Sequence, residues 1–184
     1  MRTLLILLAS LCLGLSQSQY IAESPLPKGW PAPTNYYKAE KKIFPKHRAA
    51  STSGSITGLT FMRLFKHIKK QHIPMTAPVV SNISGSNTSN KRANMIFLYR
   101  DTFVSSDKTD NKKVAVKDYT QEQVLSYTWQ GCDCKNNILL AKQALNAHAK
   151  KAGLTLKKFR LLGYNSPSMP KEKQTWELVA GFSS

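Results

Sequence analysis

One short stretch of the chain alternates apolar and basic side chains with the period of an α-helix. Apolar residues recur at positions i, i+3, i+4 and i+7, which places them on one face of a helix, and lysines occupy positions between them. Pro74 follows closely and ends the helix, because proline lacks a backbone N–H and disfavours helical geometry in the residue before it. The pattern predicts a first helix whose buried stripe is Phe61, Leu64, Phe65 and Ile68.

A second helix is predicted from about Asn136 to Ala152, with Gly153 just past its end as a C-cap. Its apolar stripe has helical spacing and comprises Ile138, Ala141, Leu145, Ala149 and Ala152. Segments of strand-like composition surround both helices. We expect strands at about 36–43, 45–51, 75–81, 94–100, 113–119, 124–130, 156–164 and 175–182.

These elements predict one α+β domain, since the chain is long enough for one domain and no more. The expected fold is a distorted β-barrel or a strongly curved antiparallel sheet of about eight strands with two helices. It is built from two strand-helix-strand-strand halves. The two halves share negligible sequence identity, so the predicted repeat is one of architecture.

The first 18 residues are typical of a secretory signal peptide. Arg2 supplies a positive start, an apolar run extends from Leu4 to Leu15, and small residues follow near a cleavage site. The run is too short to span a membrane comfortably, and Leu11 is too large to favour a lipoprotein cut before Cys12. The arm that follows contains Trp30, which we expect to pack on the domain. We therefore expect an exported protein, periplasmic or secreted, with a signal peptide at 1–18, a proline-rich arm at 19–35 and the domain at 36–184.

The chain is strongly basic. Its formal charge is +17, and this falls to +16 after signal removal because Arg2 is the only charged residue of the first 18. Such a surface attracts tetrapyrrole propionates, lipid head groups, envelope polymers or nucleic acid. Export, and the lack of zinc-finger, RNA-recognition or helix-turn-helix patterns, argue against nucleic acid. Peripheral contact with anionic membrane or envelope surfaces remains an expectation.

Two cysteines, Cys132 and Cys134, remain after the signal peptide. Three states stay open for them: free or loosely paired thiols, a disulfide, and a metal or redox role. An oxidising compartment favours the disulfide, and a metal would need more ligands than this pair supplies. Asn82 and Asn87 each begin a glycosylation sequon, which matters only in a eukaryotic host.

Several motifs, in order, resemble the SOUL family of heme-binding proteins. The first helix leads into Met-Thr-Ala-Pro-Val at Met75–Val79, and Gly-Tyr-Asn-Ser-Pro follows at Gly163–Pro167. Between them, Met95–Tyr99 and Lys113–Val116 are similar to family strands. The resemblance covers roughly Tyr36 to Phe182. It implies a distorted β-barrel flanked by two helices and a reversibly bound heme or other tetrapyrrole, and we expect a monomer.

The resemblance also implies a binding mode, namely an apolar cleft with basic residues at its mouth. Rings would bury against apolar side chains, and carboxylates would pair with Lys or Arg. Phe65 and Lys66 match positions implicated in tetrapyrrole contact, and Met62, Arg63 and Lys69 are their neighbours. The remaining candidates are the basic loop residues Lys171 and Lys173, with His67 and His47 as weak candidates for an axial iron ligand.

Two other functions stay open. The domain could bind a different anionic or apolar ligand, such as a lipid or an envelope polymer, as its charge suggests. It could also be a small-molecule hydrolase on the related effector-binding fold. The sequence contains no nucleophile elbow, P-loop, dinucleotide fingerprint or metal-protease helix, so we expect no enzymatic activity and assign no catalytic residue.

Overall fold

The computed structural model describes residues 20–54, 57–84, 91–101 and 113–183. The predicted signal peptide, the first residue of the arm and the sequon at Asn87 lie outside the described residues. The elements within them are β1 (Ala39–Phe44), β2 (His47–Ser53), α1 (Thr57–Lys70), β3 (Val79–Ser84), β4 (Lys91–Leu98), β5 (Ala115–Tyr119), β6 (Glu122–Gln130), α2 (Lys135–Lys151), β7 (Thr155–Gly163), a 3-10 turn (Lys171–Lys173) and β8 (Thr175–Ser183).

The eight strands form one antiparallel sheet in the order β1-β6-β8-β7-β3-β4-β2-β5. Exchanging the first four strands for the last four reverses this order, so the sheet has approximate two-fold symmetry about the β7–β3 pair. The sheet curls into a half-barrel. The predicted fold class, a curved α+β sheet with two helices, is confirmed.

The repeating unit has one strand more than predicted, because two strands precede each helix. Pro45 separates β1 from β2, and a proline cannot donate to a sheet ladder. Beyond it the partners change: β1 pairs with β6, whereas β2 pairs with β4 and β5. Pro45 and Lys46 thus connect β1, at one edge of the sheet, to β2, which is next to the opposite edge strand β5. The pattern of apolar residues does not predict this change of partners.

Both helices cover the same face of the sheet, which we call the helix face. α1 packs on β2 and β4, and α2 packs mainly on β6 and β7. The stripe predicted for α2 is buried except for Ala152, which is exposed at the C-cap before Gly153 at φ +66°. Among the described residues, neither helix is long and apolar enough to cross a bilayer. The stripe of α1 is rotated from its predicted position: Phe61 and Phe65 are half-buried, and the buried residues are Thr60, Leu64, His67 and Ile68.

The opposite face is covered by the arm, whose described part is residues 20–35, and we call it the arm face. Trp30 is buried and stacks on Phe44 with ring centroids 4.1 Å apart. The expected docking of Trp30 is thus observed, and the arm contributes to a core. The sheet residues of that core are Val80, Ile96, Leu98, Val124, Leu162 and Val179, together with Phe44 and Ala49.

The two motifs that carry the family resemblance hold the arm in place. In the first, the Ala77 backbone N–H donates to the Pro25 carbonyl at 3.0 Å. In the second, the Ser166 backbone N–H donates to a Glu23 carboxylate oxygen at 2.7 Å, and the neighbouring Asn165 donates to a further arm carbonyl at 2.8 Å. The bond from the Ser166 N–H lowers the pKa of Glu23. These short motifs therefore have a structural role beside any role in binding.

Cys132 and Cys134 form a disulfide in the connection between β6 and α2. This selects one of the three states left open by the sequence. The Cys132 carbonyl accepts hydrogen bonds from Trp129 Nε1 at 2.9 Å and from Asn137 Nδ2 at 3.0 Å. Hydrogen bonds therefore fix the connection to the end of β6 and to the first turn of α2.

Candidate functional site

The outward side of α1 combines exposed apolar side chains with lysines. Leu59 and Met62 are 53% and 47% exposed. Lys66 and Lys69 continue the same side of the helix, and both are exposed. One exposed apolar side chain needs no explanation, but two on adjacent turns beside cations form an amphipathic surface. We call it the α1 face, defined by Leu59, Met62, Lys66 and Lys69.

Phe65 and Arg63 lie at the borders of the α1 face. Phe65 is half-buried, stacks on Phe61 with centroids 5.9 Å apart, and has the Lys69 ammonium 5.0 Å from its ring centroid. Arg63 donates from Nη1 to the Ser53 carbonyl at 3.3 Å, which ties its guanidinium to the end of β2. Five of the predicted site residues are thus brought together on one helix.

Lys171 and Lys173 are exposed on the 3-10 turn before β8, so they lie on a different element from the α1 residues. Gly163 pairs with both Val79 and Trp176, which puts the starts of β3 and β8 at the same end of the sheet. Because α1 leads into β3, the two groups of cations share one end of the sheet.

His67 is buried on the helix face, at 4% exposed. Its Nε2 lies 3.0 Å from the Tyr99 hydroxyl, just after β4. The sequence had placed His67 off the apolar stripe, and the rotation of α1 explains the difference. An external iron would have to displace the Tyr99 contact to reach Nε2, so the geometry favours a structural role for His67.

His47 is buried on the arm face, at the start of β2. Its Nδ1 lies 2.9 Å from the Pro45 carbonyl, and a carbonyl only accepts, so Nδ1 carries the proton and Nε2 holds the lone pair of the neutral ring. The ring stacks on Tyr119 with centroids 5.0 Å apart and meets Trp30 edge-on. Burial lowers the pKa of His47, which favours the neutral form.

The arm covers the apolar residues of the arm face. The hollow that remains beneath Trp30 has a volume of about 20 Å³, room for about one water molecule. His47, Tyr119 and Arg160 contribute to its wall. This hollow is therefore too small to hold a tetrapyrrole.

A buried ionic cluster on the arm face was not predicted from the sequence. Glu177 is fully buried on β8, and the Lys42 ammonium lies 2.7 Å from its Oε1. The hydroxyls of Ser126 and Tyr164 also donate to this carboxylate. Burial, followed by the charge of Glu177, raises the pKa of Tyr164 well above its usual value. The one available signal was a single glutamate within an otherwise apolar strand.

No metal cluster of the usual kind occurs in the described part of the chain, where no three His, Cys, Asp or Glu side chains converge. The ionic cluster has two carboxylates: Glu177, whose contacts are the Lys42 ammonium and two hydroxyls, and the less buried Glu40, which lies 3.2 Å from the same ammonium. The donors to Glu177 come from three different strands or their ends, so the carboxylate links these parts of the sheet. Its position beneath the arm fits a structural role better than an acid-base one.

The fold is shared with solved structures of low sequence identity. An uncharacterized conserved protein from Listeria innocua aligns with a TM-score of 0.61 at 12% identity, over 80% of this chain and 93% of that one. A hydrolase from Listeria innocua aligns at 0.59 and 11%, over 82% and 94%. A cryo-EM structure of an EcmrR–DNA complex aligns at 0.60 and 9% over 80% of this chain, which spans only 57% of the EcmrR chain. Likeness at these identities shows the fold alone.

A family model matches most of the sequence, although no curated protein matches it. The model is described as SOUL heme-binding protein and matches residues 34–179. The match begins at the end of the arm, so the segment that covers the arm face lies almost wholly outside it. Both motifs quoted for the resemblance fall within the match. The chain therefore belongs to the SOUL heme-binding protein family.

Proposed function

We propose that the protein binds heme or a related tetrapyrrole reversibly, at the α1 face. Membership of a family of heme-binding proteins supports the ligand class. The observation that carries the location is the apolar surface of Leu59 and Met62 directly beside the ammonium groups of Lys66 and Lys69. A flat apolar dianion matches this arrangement.

The side chains of the α1 face suit both parts of a tetrapyrrole, its apolar ring and its carboxylates. Apolar burial contributes about 25 cal/mol per Å² removed from water, so a porphyrin ring laid on Leu59, Met62 and the edge of Phe65 gains affinity from contact area. Lys66 and Lys69 supply charge-assisted hydrogen bonds to propionates. Bound heme would supply an iron centre. The buried positions of His67 and His47 leave affinity to the ring and the propionates.

A test of this function is titration with hemin and with iron-free protoporphyrin, followed by absorbance. We expect both to bind saturably and with similar affinity, because neither depends on an iron–histidine bond. The absence of saturable binding for both ligands would refute the function. A strict requirement for iron would refute only the account of how the ligand is held.

Substitution at the α1 face tests the location. Lys66→Ala should weaken binding by about five- to a hundredfold, the equivalent of one charge-assisted hydrogen bond, without loss of stability. The matched control is Lys150→Ala, which removes an equally exposed lysine from α2 and should leave the affinity unchanged. Equal effects of the two variants would mean that general charge, rather than the α1 face, attracts the ligand.

Phe65 and the histidines refine the assignment. Phe65→Ala should weaken binding and also lower stability, by less than the roughly 3–5 kcal/mol lost on truncating a fully buried ring. His67→Ala and His47→Ala should each change hemin affinity little. If one histidine variant loses the heme Soret shift while Lys66→Ala binds normally, the site lies at that histidine.

A second candidate function is binding of an anionic lipid or envelope polymer, favoured by the formal charge of +17. Salt distinguishes the two functions, because charges on exposed surfaces are screened beyond about 10 Å at 0.1 M salt. Retention of porphyrin that survives added salt, with no retention on anionic vesicles, excludes the second candidate. We assign no hydrolytic activity, since the likeness to a hydrolase concerns the fold alone.

We further propose that the protein is exported as a monomer after cleavage near residue 18. The basic, apolar and small-residue segments at the start of the chain support cleavage. Sequencing the N-terminus of protein recovered from the periplasm or medium tests this. A retained Met1 on the recovered protein would contradict it.

A further inference from the structure

A cleft of about 240 Å³ lies where the arm meets the ends of β2 and β4. Three separate segments supply its cations: the arm supplies Lys28, the turn between β1 and β2 supplies Lys46, and the residues after β4 supply Arg100. His47, Tyr99 and Asp101 line it as well. None of the three cations is close in sequence to another, so the fold alone assembles them.

Backbone hydrogen bonds fix the walls of this cleft relative to one another. The Lys28 N–H donates to the Arg100 carbonyl at 3.0 Å, which joins the arm to the end of β4. The Tyr99 N–H donates to the Arg48 carbonyl at 2.9 Å, which joins the same segment to β2. Hydrogen bonds therefore hold together the backbone segments that carry the cations. Because the backbone is already ordered, binding of a ligand costs little conformational entropy of the chain.

The charges in the cleft are not balanced by the described residues. Within that part of the chain, the charged ends of Lys28, Lys46 and Arg100 make no hydrogen bond or ion pair, and Asp101 has a contact of its own. Lys46 also lowers the pKa of Asp118, but that carboxylate is held mainly by Arg48. Three cations around one concavity repel one another, and an anion between them removes that repulsion.

His47 also lines this cationic site. Its Nδ1 is taken by the Pro45 carbonyl, and no described residue bonds its Nε2. A neutral histidine can accept a hydrogen bond from the hydroxyl of a ligand, while lysine and arginine only donate. Oxyanions of the phosphate type carry both features that this lining recognises, several anionic oxygens and, when singly protonated, a hydroxyl.

We propose that the cleft binds a phosphate-type oxyanion, either free or as the head group of a small molecule. This goes beyond tetrapyrrole binding, because the cleft shares no lining residue with the α1 face. It is also not implied by the family, because Lys28 precedes the matched residues 34–179. The arm therefore both covers one face of the sheet and completes a binding site.

The test is titration of the purified protein with inorganic phosphate, and separately with phenyl phosphate, at constant ionic strength. Calorimetry gives the affinity, and the NMR signals of the His47 ring report the location. The test variant carries Lys28→Ala, Lys46→Ala and Arg100→Ala together. A control variant with equal charge loss carries Lys135→Ala, Lys150→Ala and Lys151→Ala on α2, where all three side chains are exposed.

We expect saturable phosphate binding with shifts of the His47 ring signals. The test variant should lose about a hundredfold or more in affinity, since each charge-assisted bond is worth about tenfold, and the control variant should not. Tighter binding of phenyl phosphate than of inorganic phosphate would identify a head group as the ligand. Arg100→Glu serves as a single-residue check if the triple variant is unstable.

Three results would overturn the proposal: no binding of either probe, equal losses in the test and control variants, or binding that leaves the His47 signals unmoved. A parallel hemin titration keeps the two proposals distinct. Hemin binding should be the same with and without phosphate and in both triple variants. Displacement of hemin by phosphate would show that the two ligands share one site, which contradicts a separate oxyanion cleft.

Discussion

The two faces of the sheet are covered in different ways. The helix face carries two apolar clusters beneath α1 and α2, with buried aliphatic residues such as Leu64 and Leu145. The arm face carries a third cluster, but an irregular segment covers it, and a lysine-glutamate pair is buried there. In a helix, regular spacing puts the apolar side chains on one face, which packs on the sheet. The arm has no such spacing and is held by a few specific contacts, such as the stacking of Trp30 on Phe44.

This difference predicts different responses to substitution. On the helix face each side chain contributes mainly buried area, so losses should follow the size of the group removed. On the arm face the loss depends on whether a buried charge is left without its partner. Removing one member of a buried ion pair is far more damaging than the net value of the pair, because the remaining charge stays desolvated.

Lys42→Met should therefore give the largest effect. The variant keeps an apolar stem of similar length but leaves the Glu177 carboxylate without an ammonium, at a cost of about 3–5 kcal/mol in the free energy of unfolding. Urea denaturation near neutral pH measures it. Lys41→Met, on the exposed side of the same strand, is the control and should change stability by less than about 0.5 kcal/mol.

Adding Glu177→Gln to Lys42→Met should recover part of the loss, since a buried amide is cheaper to desolvate than an unpaired carboxylate. A loss under about 1 kcal/mol for Lys42→Met would mean that Glu177 is stabilised by its hydroxyl donors alone. The two faces would then differ only in geometry and not in electrostatics.

Trp30→Ala tests whether the arm is a true part of the core. Trp30 is 7% exposed and stacks on Phe44, so truncation should cost about 3–5 kcal/mol. Trp129→Ala, which removes a buried ring from the helix face, should cost a similar amount. Urea denaturation of both variants makes the comparison. A loss of less than about 1 kcal/mol for Trp30→Ala alone would mean that the arm only rests on the sheet.

The same two faces separate what the sequence predicts well from what it does not. Both helices were predicted from apolar spacing, and all eight strands were predicted approximately from strand-like composition and the family resemblance. The stripe of α1 was misplaced because His67 and Thr60 are polar, and periodicity assigns polar residues to the solvent side. Their burial depends on partners such as Tyr99, which lies 32 residues further along the chain from His67.

The main features of the arm face could not be predicted from sequence patterns. Glu177 and Lys42 are 135 residues apart, and neither has a local pattern that predicts burial. Lys28, Lys46 and Arg100 also meet only through the fold. The α1 candidates were easier to find, since five of them belong to one helix and to one family motif. Sites built from one element are visible in sequence, and sites built from several are not.

The pH dependence of stability gives the smallest predicted effect, and it belongs to the arm face. Burial and the Glu177 charge raise the pKa of Tyr164 in the folded protein, while the unfolded chain keeps the ordinary value of 10.0. Well below pH 10 the tyrosine is neutral in both the folded and the unfolded state, so its ionisation does not change the free energy of unfolding. Above pH 10, only the unfolded state releases the proton, so stability falls by about 1.4 kcal/mol per pH unit until the folded pKa is reached.

Tyr164→Phe should remove this contribution. The variant loses the hydroxyl donor to Glu177, so it should be less stable than the wild type by about 1–3 kcal/mol near pH 8. Between about pH 10 and pH 11 the difference should shrink by about 1 kcal/mol, because only the wild type loses stability through ionisation of this tyrosine in the unfolded chain. Urea denaturation at each pH measures both proteins. A difference that stays constant to pH 11 would show that Tyr164 ionises as readily in the folded protein as in the unfolded chain, and that the cluster beneath the arm is open to solvent.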